Sequence, residues 1–157
     1  MGRAMCEYML DQGYTLTIMA NRSREAVDAC VGGGATEVDT PKEIAEASDI
    51  IMLCMDTSES VESRMYGDDG VIAGLASGKV VIDFGTSLPS STIKIGGDVG
   101  EKEASYLDSP IGKTPSHARE GMINLMCSGD KAAYDKVEPV LNDIGDNVFY
   151  LGDLGSG

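Results

Sequence analysis

The chain has 157 residues, of which 42% are hydrophobic, and this suffices for one folded domain with a sizeable core. Its formal net charge of −14 repels phosphate backbones and anionic lipid, so we expect no nucleic-acid and no membrane partner. The single histidine has no partner at metal-ligand spacing, and the four cysteines form no C-x-x-C pair. We therefore expect no metal site and a cytoplasmic protein with reduced thiols.

Helical and extended patterns alternate along the chain. Helices are predicted where apolar residues recur at helical spacing behind a capping residue or a proline, at residues 1–13, 23–31, from 40, 56–65, 89–102 and 130–145. Strands are predicted at the apolar or alternating runs 15–20, 49–55, 79–83, 105–108, 122–127 and 148–151.

The two central apolar runs decide the fold class. Residues 49–55 and 79–83 are almost continuously apolar, which is typical of strands that are buried on both faces of a parallel sheet. The alternation of strands and helices predicts a Rossmann-like, doubly wound α/β fold, a mostly parallel sheet with helices on both faces. Because the pattern opens on a helix, we expect the first strand of that fold to be missing.

The residues that follow each strand are the first place to look for a site, because doubly wound sheets bind ligands beyond the carboxyl ends of their strands. These segments are 21–24, 54–57, 83–89 and 108–115. Met1 and Gly2 precede the first helix, where a G-x-G-x-x-G loop would present backbone N–H groups to a pyrophosphate.

Short motifs occur along the chain in a fixed order. They are Met1-Gly2-Arg3-Ala4-Met5, Gly13-Tyr14, Asn21-Arg22-Ser23, Pro41–Ala45, Gly67–Val71, Val80–Thr86, Asp108–Gly112, Gly129-Asp130 and Gly152–Gly157. The first resembles the tail of the G-x-G-x-M-G-x-x-M opening of the β-hydroxyacid dehydrogenase (3-hydroxyisobutyrate dehydrogenase-like) family. Each motif is weak alone, but the ordered set resembles that family over essentially the whole chain.

The resemblance implies an NAD(P)-binding domain over residues 1–157, truncated at both ends, with the family's helical C-terminal domain absent. It places the loop at residues 54–56 over the adenosine and pyrophosphate, and Thr86 near the nicotinamide ribose. The cofactor-binding residues expected are Met1, Gly2, Asn21, Arg22, Ser23, Cys54, Met55, Asp56 and Thr86. We expect Cys54 to be a packed thiol, with a reactive thiol as the alternative.

The turn at residues 21–24, which follows the strand predicted at 15–20, bears on the choice of cofactor. An acidic residue at this strand end would bind the 2′-hydroxyl of NAD, whereas an arginine would pair with the 2′-phosphate of NADP. The chain offers Arg22 and Arg24 and no acid here. We therefore favour NADP, with NAD as the alternative if both arginines are ordinary solvated residues.

The segment Gly112-Lys113-Thr114 is the candidate substrate-binding loop. Most family members have Ser-Gly-Gly here, and a similar Gly-basic-Thr variant occurs in sulfolactaldehyde reductases of the family. A cation, a hydroxyl and backbone N–H groups can hold a carboxylate or a sulfonate. The alternative is that Lys113 is simply exposed to solvent.

Two other interpretations of this region fail. A phosphate-binding P-loop requires a glycine at position 107, which is Leu107, and free backbone donors where Pro110 stands. Ser116 and His117 are adjacent in sequence, but a catalytic triad needs a base and an acid that converge in space. His117 is therefore expected to be an ordinary polar residue.

The function predicted is that of an NAD(P)-dependent oxidoreductase domain, which transfers a hydride between a nicotinamide and a small 3-hydroxy acid or its semialdehyde. The resemblance implies that the catalytic lysine lies beyond Gly157, so we assign no catalytic residue and expect no turnover from this chain alone. The full-length parent is expected to be a homo-oligomer. The alternative is an isolated nucleotide-binding or regulatory module without catalysis.

Overall fold

A computed structural model describes all residues from Met1 to Gly157. The helices are α1 (Gly2–Asp11), α2 (Arg24–Gly32), α3 (Pro41–Ala47), α4 (Ser58–Met65), α5 (Val71–Gly74), α6 (Pro89–Gly100), α7 (Pro115–Arg119) and α8 (Lys131–Ile144). The strands are β1 (Thr17–Ile18), β2 (Thr36–Glu37), β3 (Ile50–Leu53), β4 (Val80–Asp83), β5 (Ser105–Asp108), β6 (Ile111–Gly112), β7 (Ile123–Gly129) and β8 (Gly145–Tyr150). None of the helices has the length and apolar character needed to cross a membrane.

The strands form two sheets rather than one. β1 and β2 pair in parallel by themselves, while β3, β4 and β5 form the parallel part of a six-stranded sheet. That sheet continues through β7, which runs antiparallel to β5 and β6 and parallel to β8. The predicted Rossmann-like, mostly parallel α/β fold is confirmed.

Two hydrophobic clusters lie on the two faces of the large sheet. Within β4, Val80 and Ile82 belong to the cluster beneath α1 and α8, whereas Val81 belongs to the cluster beneath α3, α4 and α6. This alternation is the period of two that a strand imposes on its side chains. All three residues are at most 1% exposed, which explains the continuous apolar run in the sequence.

Several helices begin where the sequence places a capping side chain. Thr40 and Glu43 form the predicted reciprocal capping box at the start of α3, with Glu43 N–H donating to Thr40 Oγ1 at 3.2 Å. Ser23 caps α2 by accepting from Ala26 N–H at 3.2 Å. Asp130 caps α8 in the same way, accepting from Ala133 N–H at 2.8 Å, and Gly145 ends that helix as predicted.

The structure also corrects the sequence-based boundaries. The strand predicted at 15–20 is confined to Thr17–Ile18, because β1 has a partner on one edge only. The strand predicted at 148–151 begins earlier, at Gly145, and runs beside β7. The short elements β2, α5, β6 and α7 were not predicted, since two to five residues carry too little periodicity to be recognised.

Candidate functional site

The carboxyl ends of β1, β3 and β4 and the start of α1 meet at one edge of the molecule. Arg64 on α4 donates to Asn21 Oδ1 at 3.0 Å, and Arg22 forms an ion pair with Asp56 at 2.8 Å. A Cβ on Gly2 would lie 3.7 Å from Cβ of Cys54. The structure therefore brings most of the residues predicted to bind a cofactor into one continuous edge.

The start of α1 is an open helix end. Met1 occupies the N-cap position and supplies no side-chain hydrogen bond to the first turn. The leading N–H groups of a helix have no partner inside the helix, and the helix dipole adds positive potential there. Because Gly2 has no side chain, a ligand can approach the backbone closely at this helix end, and helix starts of this kind bind anionic groups such as a pyrophosphate.

Cys54 lies against this helix end but is a poor nucleophile. Its side chain packs against the hydrophobic core that includes Met5 and Phe84. Burial raises the pKa of the Cys54 thiol, so the thiolate form is disfavoured at neutral pH. This agrees with the prediction of a packed thiol. Cys54 therefore lines the site and is not assigned a role as a nucleophile.

The two arginines after β1 are in different situations. Arg24 is held on both sides, by two hydrogen bonds of 2.7 Å to Glu37 and one of 2.8 Å to Asp28. Arg22 has a side chain that is 72% exposed and a single partner, Asp56. Hydrogen bonds from Ser60 and Arg22 lower the pKa of Asp56, so this partner is a carboxylate. Of these two arginines, Arg22 is thus the one with donors to spare.

The loop after β4 is built on a buried carboxylate that the sequence reasoning did not single out. Asp83 is fully buried and accepts hydrogen bonds from Gly85 N–H at 2.8 Å and from the Ser87 hydroxyl at 2.7 Å. A Cβ at Gly85 would lie 3.0 Å from both Asp83 Oδ1 and Met55 O. The loop is therefore held tightly, and it presents Thr86 exposed at the edge.

A second buried carboxylate lies beside the first. Asp108 on β5 stands opposite Asp83 in the strand register and accepts from Gly157 N–H at 3.2 Å. Burial, and then the neighbouring Asp83, raise the pKa of Asp108 to about 6. Nearby, Ser156 N–H donates to Ser128 Oγ at 3.2 Å. These contacts fasten residues 156–157 onto the sheet.

The candidate substrate-binding loop makes side-chain contacts of its own. Lys113 is not free, because its Nζ lies 2.9 Å from Asp146 Oδ2 and its side chain is only 25% exposed. Its backbone has a φ of 79°, in the left-handed region, which glycine adopts more easily. Thr114 Oγ1 lies 2.7 Å from His117 Nδ1 on α7. Gly112, Lys113 and Thr114 share no hydrogen bond or ion pair with the residues of the cofactor edge.

Comparison with known proteins identifies the family. The family model described as the NAD binding domain of 6-phosphogluconate dehydrogenase matches residues 1–152. The 2-(hydroxymethyl)glutarate dehydrogenase of Eubacterium barkeri is 34% identical over all of this chain, which covers 52% of that enzyme. The 2-hydroxy-3-oxopropionate reductase of Escherichia coli is 32% identical over 83% of this chain and 44% of its own length.

A solved structure agrees with the sequence comparison. Psf3 in complex with NADP+ and 2-OPP superposes with a TM-score of 0.92 at 26% identity, over 99% of this chain and 55% of that one. The chain spans about half the length of the curated relatives it matches. The resemblance to the β-hydroxyacid dehydrogenases is confirmed, and the chain belongs to the NAD-binding domain family of 6-phosphogluconate dehydrogenase.

Proposed function

We propose that residues 1–157 form the cofactor-binding domain of an NAD(P)-dependent oxidoreductase that acts on a small 3-hydroxy acid or its semialdehyde. The observation that carries the proposal is the shared edge, where the open start of α1, the exposed Arg22 and the exposed Thr86 lie at the carboxyl ends of parallel strands. The names of the relatives, a dehydrogenase of a hydroxy acid and a reductase of an oxo acid, support the same reaction class.

The residues of the edge fit a dinucleotide. When bound, the nicotinamide supplies the hydride acceptor or donor, and the protein supplies position and electrostatics. The start of α1 at Met1 and Gly2 would hold the pyrophosphate through backbone N–H groups. Asn21, Ser23 and residues 54–56 would enclose the adenosine half, although the Ser23 hydroxyl oxygen also caps α2. Thr86 would contact the nicotinamide ribose.

The cofactor preference we propose is for NADP, with NAD as the alternative. Arg22 can pair with a 2′-phosphate if it exchanges Asp56 for the ligand. Arg24 contributes less, since Glu37 and Asp28 already occupy its donors. The ion pair with Asp56 is exposed on both sides, so breaking it costs little.

The substrate side of the proposal rests on Gly112, Lys113 and Thr114. A carboxylate or a sulfonate would take the place of Asp146 on Lys113, with the Thr114 hydroxyl as a second donor. We assign no catalytic residue within residues 1–157. The parent's homo-oligomeric state, its cytoplasmic location and the absence of nucleic-acid and membrane partners remain parts of this proposal.

A calorimetric titration with NADPH and with NADH tests the proposed function. We expect NADPH to bind more tightly, by about tenfold, which corresponds to one charge-assisted contact. Arg22→Asp should abolish that difference, and the matched variant Arg24→Asp should retain it. Binding of neither dinucleotide would overturn the proposal, whereas equal binding of both would overturn the NADP preference alone. If a dinucleotide binds but the full-length parent does not turn over any 3-hydroxy acid, the alternative of a regulatory module without catalysis is favoured.

A further inference from the structure

The turn after β1 gains an acidic neighbour from a distant part of the chain. Residues 21–24 contain no acidic residue, yet Arg22 Nη2 lies 2.8 Å from Oδ2 of Asp56, which follows β3. A second contact joins the same two segments, because Arg64 on α4 donates to Asn21 Oδ1 at 3.0 Å. The tertiary fold therefore places a carboxylate where the local sequence offers only cations.

Asp56 is held in this position by the helix that follows it. The Ser60 hydroxyl donates to Asp56 Oδ1 at 3.0 Å, and Ser60 belongs to the first turn of α4. Thr57 caps the same turn, since its Oγ1 accepts from Ser60 N–H at 3.1 Å. The carboxylate thus has an anchor that does not depend on Arg22, and it stays at the edge when a ligand binds Arg22 in its place.

The carboxylate of Asp56 also has acceptor positions to spare. Its two oxygens provide about four such positions, of which Ser60 uses one and Arg22 another. The side chain is 51% exposed, so a ligand can reach the remaining positions. Hydrogen bonds from Ser60 and then from Arg22 lower the pKa of Asp56, so it is an ionised acceptor at neutral pH.

The pair of Arg22 and Asp56 meets the two nicotinamide cofactors differently. NADP carries a phosphate at the 2′ position of its adenosine ribose, where NAD carries a hydroxyl. A phosphate attracts the guanidinium of Arg22 and is repelled by the carboxylate of Asp56. A hydroxyl can donate to that carboxylate, and such a bond is stronger than one to a neutral acceptor. The pair therefore contains one group that favours each cofactor.

The neighbouring Arg24 provides a contrast within the same turn. It is bound by Glu37 through two hydrogen bonds of 2.7 Å and by Asp28, one turn along α2, at 2.8 Å. The side chain of Asp28 is 65% exposed, so its charge and its exposure resemble those of Asp56. Loss of Asp28 would still leave Arg24 bound to Glu37. Asp28 is therefore a matched control for Asp56.

We propose that Asp56 determines how strongly this edge discriminates between NADP and NAD. Its carboxylate accepts a hydrogen bond from the adenosine-ribose 2′-hydroxyl of NAD. It opposes the 2′-phosphate of NADP by charge repulsion and by competing for Arg22. The preference for NADP that Arg22 confers is thereby kept moderate, and NAD remains usable. This inference rests on the proposed dinucleotide-binding function and assigns a specific role to one residue of that site.

Calorimetric titrations of the 157-residue chain and of its Asp56→Asn variant with NADPH and with NADH test the proposal. The amide keeps the shape of the side chain and removes its charge, so we expect NADPH to bind more tightly and NADH more weakly. Each change should be about threefold, so the ratio of the two dissociation constants should rise by about tenfold. Asp28→Asn removes the same charge and should leave that ratio within about twofold of its original value.

Three other results would contradict the proposal in different ways. An unchanged affinity of Asp56→Asn for NADH would overturn it, since the carboxylate would then make no contact with the 2′-hydroxyl. Equal changes in Asp56→Asn and Asp28→Asn would also overturn it, because net charge alone would explain them. Failure of the unsubstituted chain to bind either dinucleotide would instead overturn the proposed function, and this inference with it. Both substituted side chains are more than half exposed, so we expect both variants to fold, as circular dichroism can verify.

Discussion

The two sheets of the molecule differ in how they are held, and the candidate cofactor edge spans both. β4 lies between two parallel partners, and its four residues are at most 1% exposed. β1 has one partner, and its two residues are only half-buried. The loop that carries Thr86 therefore follows a strand with partners on both edges, whereas Asn21 and Arg22 follow a strand with a single partner. The two halves of the candidate site therefore depend on different parts of the core.

Matched substitutions in the two sheets should show the largest difference. Ile82→Ala in β4 removes a fully buried side chain and should lower the free energy of unfolding by about 2–5 kcal/mol. Ile18→Ala in β1 removes a half-buried side chain, and we expect a loss of about 1 kcal/mol. Urea denaturation measures both. Equal losses would show that the two sheets are supported alike.

The buried carboxyl group of Asp108, on β5 of the large sheet, should make the free energy of unfolding depend on pH. Its folded pKa of about 6 lies above the ordinary value of 3.8, so the folded state favours the protonated form. The stabilisation is full below about pH 4 and is lost as the pH rises through about 6. The expected change is of the order of 2–3 kcal/mol.

Asp108→Asn isolates that contribution. Because the amide cannot ionise, the variant should lack this decline between pH 4 and 6 and should be more stable than the parent chain at pH 8. Unfolding monitored by circular dichroism across this pH range provides the measurement. A pH profile that the substitution leaves unchanged would assign the dependence to other groups.

The smallest effect is expected at the substrate-binding loop. Lys113 has a φ of 79°, so Lys113→Gly should relieve backbone strain of about 1 kcal/mol, offset in part by the loss of its ion pair with Asp146. Lys113→Ala keeps the strain and loses the ion pair. We therefore expect the glycine variant to be the more stable of the two in thermal unfolding. Because both variants lose the ion pair, the reverse order would mean that the backbone conformation at residue 113 carries no strain.

Periodicity and capping residues predicted most of the large sheet and its helices. The run 79–83 and the capping box of Thr40 and Glu43 carry their structure locally, so they were recognised. The length of β1 was overestimated because strand length depends on partners, which the local sequence does not reveal. The pairing of Lys113 with Asp146, 33 positions away, and the support of Gly85 by Asp83 depend on tertiary contacts in the same way.

The central claim is that a dinucleotide binds along the edge that joins the two sheets. The most direct measurement is an NMR titration of the 157-residue chain with NADPH, read at its backbone amides. We predict the largest shifts at Gly2, Arg22 and Thr86, with residues 112–114 little affected. Shifts confined to residues 112–114, or no shifts at all, would contradict the account.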